Sequence, residues 1–461
     1  MRILLALLLL CTLAFQVPAQ RTRRDSRSAA DVYAVVAEVD RIAARTTLWP
    51  GFDPRRIPVA IYDGQTTLLF RHPAPPAEFV SLSSRQGVWA FNGRHDAVAA
   101  NAPVKLGGVW TATVLLNPAS KLSLTERAAL VTHELFHVHQ REHHPKWAGN
   151  ELELFTYPFD DAEQLARRRI ETEYLRLAER ATDNALAACL TRRALGARRE
   201  RFARLTAGAV SYERALELNE GLARYVEGRA TGARHSDLTA AEFPAEELRT
   251  RGYASGHALA LLLERFAPGW SKRLEEGDTA SLDELLSAAL DATHPPVPNK
   301  LAACVLPQPF TDAARSRAKL ETDNISARRE TLRREFAART GWRIVVNADT
   351  NAPLWPQDFD PLNVRRIGAN EVLHTRHLKL GNDAGAIDSF HPHMLTTGAG
   401  AHPLFNGVRQ LTVAGLSAEP VVREAEGKLT LEGAGIKAEF RGAQLERTGQ
   451  TFTVNLQAKQ K

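Results

Sequence analysis

No run of apolar residues in this 461-residue chain suffices to anchor it in a membrane. The N-terminal run from Ile3 to about Phe15 falls short of the roughly 20 residues a bilayer requires, and nothing later in the chain replaces it. Clustered basic residues interleaved with aromatics are also missing. Aromatics make up 7% of the chain, and the formal charge of +6 comes mostly from arginines scattered through helical stretches. That distribution fits a solvated basic surface and excludes the usual pattern of a nucleic-acid partner. No repeat period is evident, so array architectures are set aside. Cysteine is scarce: beyond Cys11 there are only Cys189 and Cys304, which either pair in an oxidising compartment or stay as two buried thiols. What is present, 44% hydrophobic and 24% charged residues, is ordinary for a globular protein with two or three cores.

The segment "MRILLALLLLCTLAFQVPAQ" has Arg2, the apolar run, and then small residues at Val17 and Ala19 around Pro18. It reads as a signal peptide, 1–19, cut after Ala19, and predicts an exported protein. The bulky Leu10 before Cys11 speaks against a lipoprotein. The mature chain then divides by texture. A helix is expected from Asp31 to about Thr46, from the spacing of Val35, Val36, Val39 and Ile42. Short strand-like runs such as "IPVAIYDG", "TTLLF", "GVWAF" and "VWTATVLL" follow, and a helical region extends from Ser123 to about Phe266. Residues 307–340 read as a charged helix with a break near Asn324. Beyond Gly341, alternation in "KLTLEG", "IKAEF" and "TFTVNLQ" predicts a separate antiparallel β domain, 341–461. The fold class expected is α+β: a mainly helical domain, 29–306, with a small mixed sheet near its N-terminus, plus the C-terminal β domain.

Chemistry concentrates in "THELFHVHQ", 132–140. Ser123 with Glu126 three residues on is a capping box, and no breaker intervenes before Pro145. His133 and His137 therefore share one helix face, about one turn apart, as two imidazoles on one zinc require. Glu134 projects beside them, where its carboxylate can take a proton from a zinc-bound water.

Two positions compete to be the third protein ligand. His143 stands where the metzincin pattern H-E-x-x-H-x-x-G-x-x-H has its last histidine. That pattern needs glycine where this chain has Gln140, and it needs a methionine turn, whereas Met394, the only methionine beyond Met1, lies far downstream. His139, His143 and His144 then read as polar residues fraying the helix end. The other position is in "LNEGLARYVEG", 218–228. Asn219, Glu220, Gly221, Ala223, Tyr225 and Glu227 resemble the second zinc helix of gluzincin metallopeptidases of the aminopeptidase-like and peptidase MA-like kind. The resemblance implies a zincin-like catalytic domain, Zn2+ held by His133, His137 and Glu220, and a peptide or protein substrate. A glutamate completing a His2Glu set leaves a fourth zinc position for water.

The resemblance has departures. The insert 160–208 between the two motifs is long, arginine- and glutamate-rich and of helical spacing, and it contributes Glu171 and Glu173 as rival ligands. Arg224 stands where thermolysin-type enzymes place an aspartate that orients a histidine, so that support must be built differently. The aminopeptidase signature that grips a substrate's amino terminus is not recognisable. "TATVLLNPA" resembles the edge strand on which zincin peptidases lay an extended substrate, although Leu115 and Leu116 fit a plain core role equally. In "RGYASGHALALLLERF", Tyr253 and His257 are candidate donors to an oxyanion, the alternative being core residues with satisfied polar tips. The C-terminal histidines His374, His377, His391, His393 and His402 lack an accompanying Cys or carboxylate pattern and read as strand and loop residues. The function expected is an exported zinc metallopeptidase with Glu134 as base. The alternatives are a binding protein on such a fold and a metzincin-like site at His143.

Overall fold

The structure is a computed structural model that describes residues 21–117, 120–239, 243–293, 304–360, 363–400 and 402–457. The expected signal peptide, 1–19, and its cut after Ala19 lie outside the described residues. Helix α1, Arg21–Arg45, buries Val32, Val35, Val36, Val39 and Ile42 at helical spacing. Next comes a six-stranded mixed sheet in the order Val80–Ser81 (β3), Val88–Asn92 (β4), Thr66–Phe70 (β2), Val59–Tyr62 (β1), Val109–Leu115 (β6), Ala102–Leu106 (β5). Only β1 and β6 run parallel. Alternation sorts its residues: Val59, Ile61, Ala112 and Val114 join the main core, while Ala60, Leu69 and Leu106 form a smaller core on the opposite face.

The stretch 111–117 is not the free edge expected of it. Gly107 and Gly108, both at positive φ (54° and 83°), fold β5 back onto β6 as a two-residue hairpin. The side on which a substrate strand would add to β6 is therefore already paired.

Helix α2, Leu124–His143, starts at Ser123 with both capping-box bonds in place. The Glu126 amide donates to Ser123 Oγ at 3.3 Å, and the Ser123 amide donates to Glu126 Oε2 at 2.7 Å. Behind it, Phe136 meets Phe52 and Trp49 edge-on, and Trp49 extends the cluster to Trp147, Tyr225 and Trp270. The insert 160–208 forms two helices, α3 (Ala162–Arg180) and α4 (Asn184–Phe202). Then come α5 (Ala207–Leu216), a π-helical turn at Glu217–Gly221, α6 (Leu222–Thr231), α7 (Leu248–Phe266), α8 (Trp270–Glu275) and α9 (Leu282–Thr293). Cys189 in α4 is bridged to Cys304, with Cα atoms 6.2 Å apart. No helix among the described residues is long and apolar enough to cross a membrane.

Helix α10, Gln308–Ala337, runs without the break expected at Asn324. Ala314, Ala318, Thr322 and Ile325 make its buried stripe, so Asn324 falls on the solvent side, where it does not interrupt the backbone. Two sheets then share one core. The first has the order Gln444–Thr448 (β18), Thr451–Asn455 (β19), Trp342–Asn347 (β7), Val408–Leu416 (β14), Met394–Gly398 (β13), Glu371–His374 (β10), Val364–Arg366 (β9). The second has the order Val421–Ala425 (β15), Lys428–Gly433 (β16), Ile436–Arg441 (β17), Gly385–Ser389 (β12), Leu378–Asn382 (β11), Trp355–Phe359 (β8). Ile344, Val346 and Val413 of one pack with Ile387, Leu431 and Phe440 of the other, as in a sandwich. All pairings are antiparallel except β19 with β7.

Candidate metal centre

Helix α2 presents His133 and His137 to the π turn that carries Glu220, and the three side chains form a buried group able to hold a metal ion. His133 Nε2 and His137 Nε2 are 3.0 Å apart, and Glu220 Oε2 is 3.1 Å from His137 Nε2 and 3.9 Å from His133 Nε2. Separations of about 3.3 Å are what a tetrahedral ion with bonds of roughly 2.0–2.1 Å imposes on its ligands.

The tautomers sharpen this. Glu227 Oε2 lies 3.1 Å from His133 Nδ1, and the Glu227 carboxyl sits below its ordinary pKa because, against its burial, His133 and Arg224 favour the anion. Nδ1 of His133 therefore carries a proton. Gln140 Oε1 is 2.8 Å from His137 Nδ1, while the Gln140 amide nitrogen donates to the carbonyls of Leu218 and Asn219, so this Nδ1 is a donor as well. In the neutral rings both Nε2 lone pairs then point at each other and at a carboxylate, which only a cation or an added proton can reconcile. Two buried oxygens here, Glu220 Oε2 and Glu134 Oε2, have no hydrogen-bond partner. The field is strongly negative. Burial acts to lower the His133 pKa, but Glu220, Glu227 and Glu134 outweigh it and lift the ring to about 9.

The π turn is built for the task. Gln140 donates to the Leu218 and Asn219 carbonyls of this widened turn, and Gly221 crosses Gly256 of α7 so closely that a Cβ on Gly221 would lie 2.5 Å from Gly256 Cα. Behind the turn, Arg198 grips Glu217 with two bonds of 2.8 and 2.6 Å, and Ser255 adds a third at 2.6 Å. Glu171, the expected rival ligand, belongs to this interior network: Arg198, Arg201 and Arg251 all donate to it, and they hold its carboxyl far down despite full burial. Glu173 pairs with Arg176. Neither joins the histidines.

Glu134 is buried beside the triad, and burial raises its pKa, tempered by His133 and His137. Tyr253 stacks nearly parallel on His133, with ring centroids 6.0 Å apart, and its hydroxyl is raised by burial and by Glu220. His257 points elsewhere: its ring packs against Gly228 and Tyr225, on the Glu227 side of His133, and burial lowers it to about 4. The Gly228 that sequence placed in the motif is the space for that ring. Arg249 donates to Glu220 Oε1 at 3.0 Å and also pairs with Glu151, a link that nothing in the motif spacing announced.

His143, the alternative ligand, is exposed on the far side of α2, with Nδ1 on the His139 carbonyl. Its neighbours do not fray. His139 is buried, and both it and His144 meet Glu275, a second group able to hold a metal ion. Here the hydrogen bonding differs, because Glu275 takes donors from Trp49 Nε1 at 2.8 Å and His144 Nε2 at 2.9 Å and is satisfied without an ion. Burial acts to raise the Glu275 pKa, but these donors and His139 pull it down to about 2. Among the described residues no such group includes His374, His377, His391, His393 or His402. His374 is buried on Thr396, His377 pairs with Asp388, and His402 reaches the Leu152 carbonyl of the helical domain. Comparison with family models, curated proteins and solved structures found no match to the chain.

Proposed function

We propose that the chain is an exported, zinc-dependent metallopeptidase of gluzincin type, in which His133, His137 and Glu220 hold the ion. The observation that carries this reading is the pair of opposed Nε2 lone pairs 3.0 Å apart, facing a carboxylate with an unpartnered buried oxygen. Zinc suits a set of two imidazoles and one carboxylate, and when bound it supplies a Lewis acid that makes water nucleophilic near neutral pH. The chain's own residues supply the remainder. Glu134, shifted upward by burial, takes a proton from the attacking water and returns it to the leaving amine. Tyr253, stacked on His133, offers its hydroxyl to the oxyanion that forms at the carbonyl. Glu227 and Gln140 keep both imidazoles in the ligating tautomer. The His257 ring lies against Gly228 and Tyr225 with its Nδ1 buried and unpartnered, and the oxyanion role is assigned to Tyr253 alone. Export to an oxidising compartment is part of the proposal and is supported by the Cys189–Cys304 bridge.

Metal analysis of protein purified without chelators tests the site. About one equivalent of zinc is expected, lost on His133→Ala or Glu220→Ala and retained on His144→Ala. Unchanged zinc after Glu220→Ala overturns the ligand set.

A further inference from the structure

A cavity of about 660 Å³ lies between the helical domain and the β sandwich. That is within the range of sites that accept sizeable ligands, and its place between two domains is where such sites concentrate. Its floor is apolar, with Phe155 and Phe159 from one domain, Leu332 from α10 and Phe359 from β8. Its other feature is arginine: Arg328, Arg329, Arg365 and Arg366 all line it. Arg328 and Arg329 pair with Glu246 and Asp160, but Arg365 has no acidic partner among the described residues. Arg366 donates to the carbonyls of Gly368 and Ala369 and forms no ion pair among the described residues. Burial, and then the charge of Arg329, press its pKa downward. The cavity is thus apolar inside and short of negative charge at one wall.

That wall is a sheet edge. β9 is the last strand of its sheet and pairs only with β10, with Arg366 opposite Val372, Arg365 opposite Leu373 and Val364 opposite His374. The Ile367 amide donates to the Glu371 carbonyl and the Thr375 amide to the Asn363 carbonyl. Hydrogen-bonded pairs therefore fall at 363, 365 and 367, and the backbone groups of Val364 and Arg366 face away from β10. The cavity is linked to the candidate metal centre through side chains, since Glu151 lines it and pairs with Arg249, which donates to Glu220.

We propose that this cavity is an exosite that takes an extended segment of a peptide substrate, added as a strand along β9, with an apolar side chain in the cavity and a neighbouring carboxylate on Arg365 and Arg366. Strand addition supplies main-chain bonds without demanding a sequence, while the cavity and the arginines select alternating apolar and acidic residues. This moves the substrate-pairing edge from β6, which β5 covers, to the β sandwich. Taking the occupant as a peptide rests on the peptidase reading.

The test is binding to the full-length Glu134→Gln protein, followed by fluorescence anisotropy of a labelled, acetylated peptide of alternating leucine and glutamate. Saturable binding is expected, weakened about tenfold or more by the double change Arg365→Glu and Arg366→Glu, with zinc content unaltered. N-methylation of alternate peptide amides is expected to weaken binding to the unaltered protein by a similar factor, and this arm decides the matter should the double variant fail to fold. Absence of saturable binding, or equal affinity for the methylated and unmethylated peptides, overturns the proposal. Displacement by dodecanoate with no response to methylation marks a site for small amphiphiles and overturns it too. Binding as described by a protein whose native form hydrolyses nothing leaves the exosite standing and removes the peptidase reading, whereas hydrolysis without such binding does the reverse.

Discussion

Replacing Glu227 by alanine isolates the orientation of His133 from its ligation. The Glu227 side chain is 14% exposed and its oxygen lies 3.1 Å from Nδ1, so the bond is charge-assisted and partly shielded from water. Such bonds contribute roughly 1.5–3 kcal/mol. Converted at about 1.4 kcal/mol per decade, this is an expected loss of about 10- to 100-fold in zinc affinity. The independent expectation for residues that orient a metal-bound histidine is about the same. The variant keeps all three ligands, and Arg224 retains Asp237, so the helix stays folded. Chelator competition measures the affinity, and the thermal midpoint of the zinc-free proteins checks the fold. Affinity unchanged within about twofold would show that His133 does not ligate through Nε2, and the assignment of the centre would fail with it.

Two further predictions bear on what holds the site and the sandwich. Gly221→Ala places a Cβ 2.5 Å from Gly256 Cα, a backbone atom that cannot step aside, and is expected to cost about 1–3 kcal/mol in urea unfolding. Gly196→Ala, whose nearest neighbour is 4.0 Å away on a helix interior, is expected to stabilise by about 0.4–1 kcal/mol, and a neutral Gly221→Ala beside it would refute the close crossing. His374 is fully buried, gives its Nε2–H to Thr396 and has no partner at Nδ1, so burial lowers its pKa to about 3. Because the folded value lies below the unfolded one, the unfolded chain takes the proton first. Stability is then expected to fall by about 2 kcal/mol as pH drops from 7 to 5, and unfolding midpoints in which His374→Asn keeps that full slope would contradict it.

The two motifs were legible because helical spacing puts chemistry in a fixed place. The capping box at Ser123 set the register of α2, and His133, His137 and Glu220 converge as that register requires. Residues acting across helices were less so. Glu227 stood in the motif, and that it would turn back to His133 Nδ1 follows from two helical turns plus a crossing that only Gly221 and Gly256 permit. Gln140, which stands where the metzincin pattern needs glycine, orients His137 and bonds to the π turn. The insert reads as helical and forms two helices, but its composition does not show where its charges lie. Charged helices normally face solvent, yet here Arg198, Arg201 and Arg251 balance Glu171, Glu213 and Glu217 in the interior, a cost that only full pairing offsets. The hairpin at Gly107 and Gly108 was readable in principle, and it is what takes β6 away from the edge.

Hydrolysis is proposed to use Glu134 as the base. The direct measurement is cleavage of a peptide library by the native protein and by Glu134→Gln at matched zinc content. Cleavage by the native protein and a fall of about 10²- to 10⁴-fold in the variant are expected. Equal rates, or no cleavage by a zinc-loaded native protein, would contradict it.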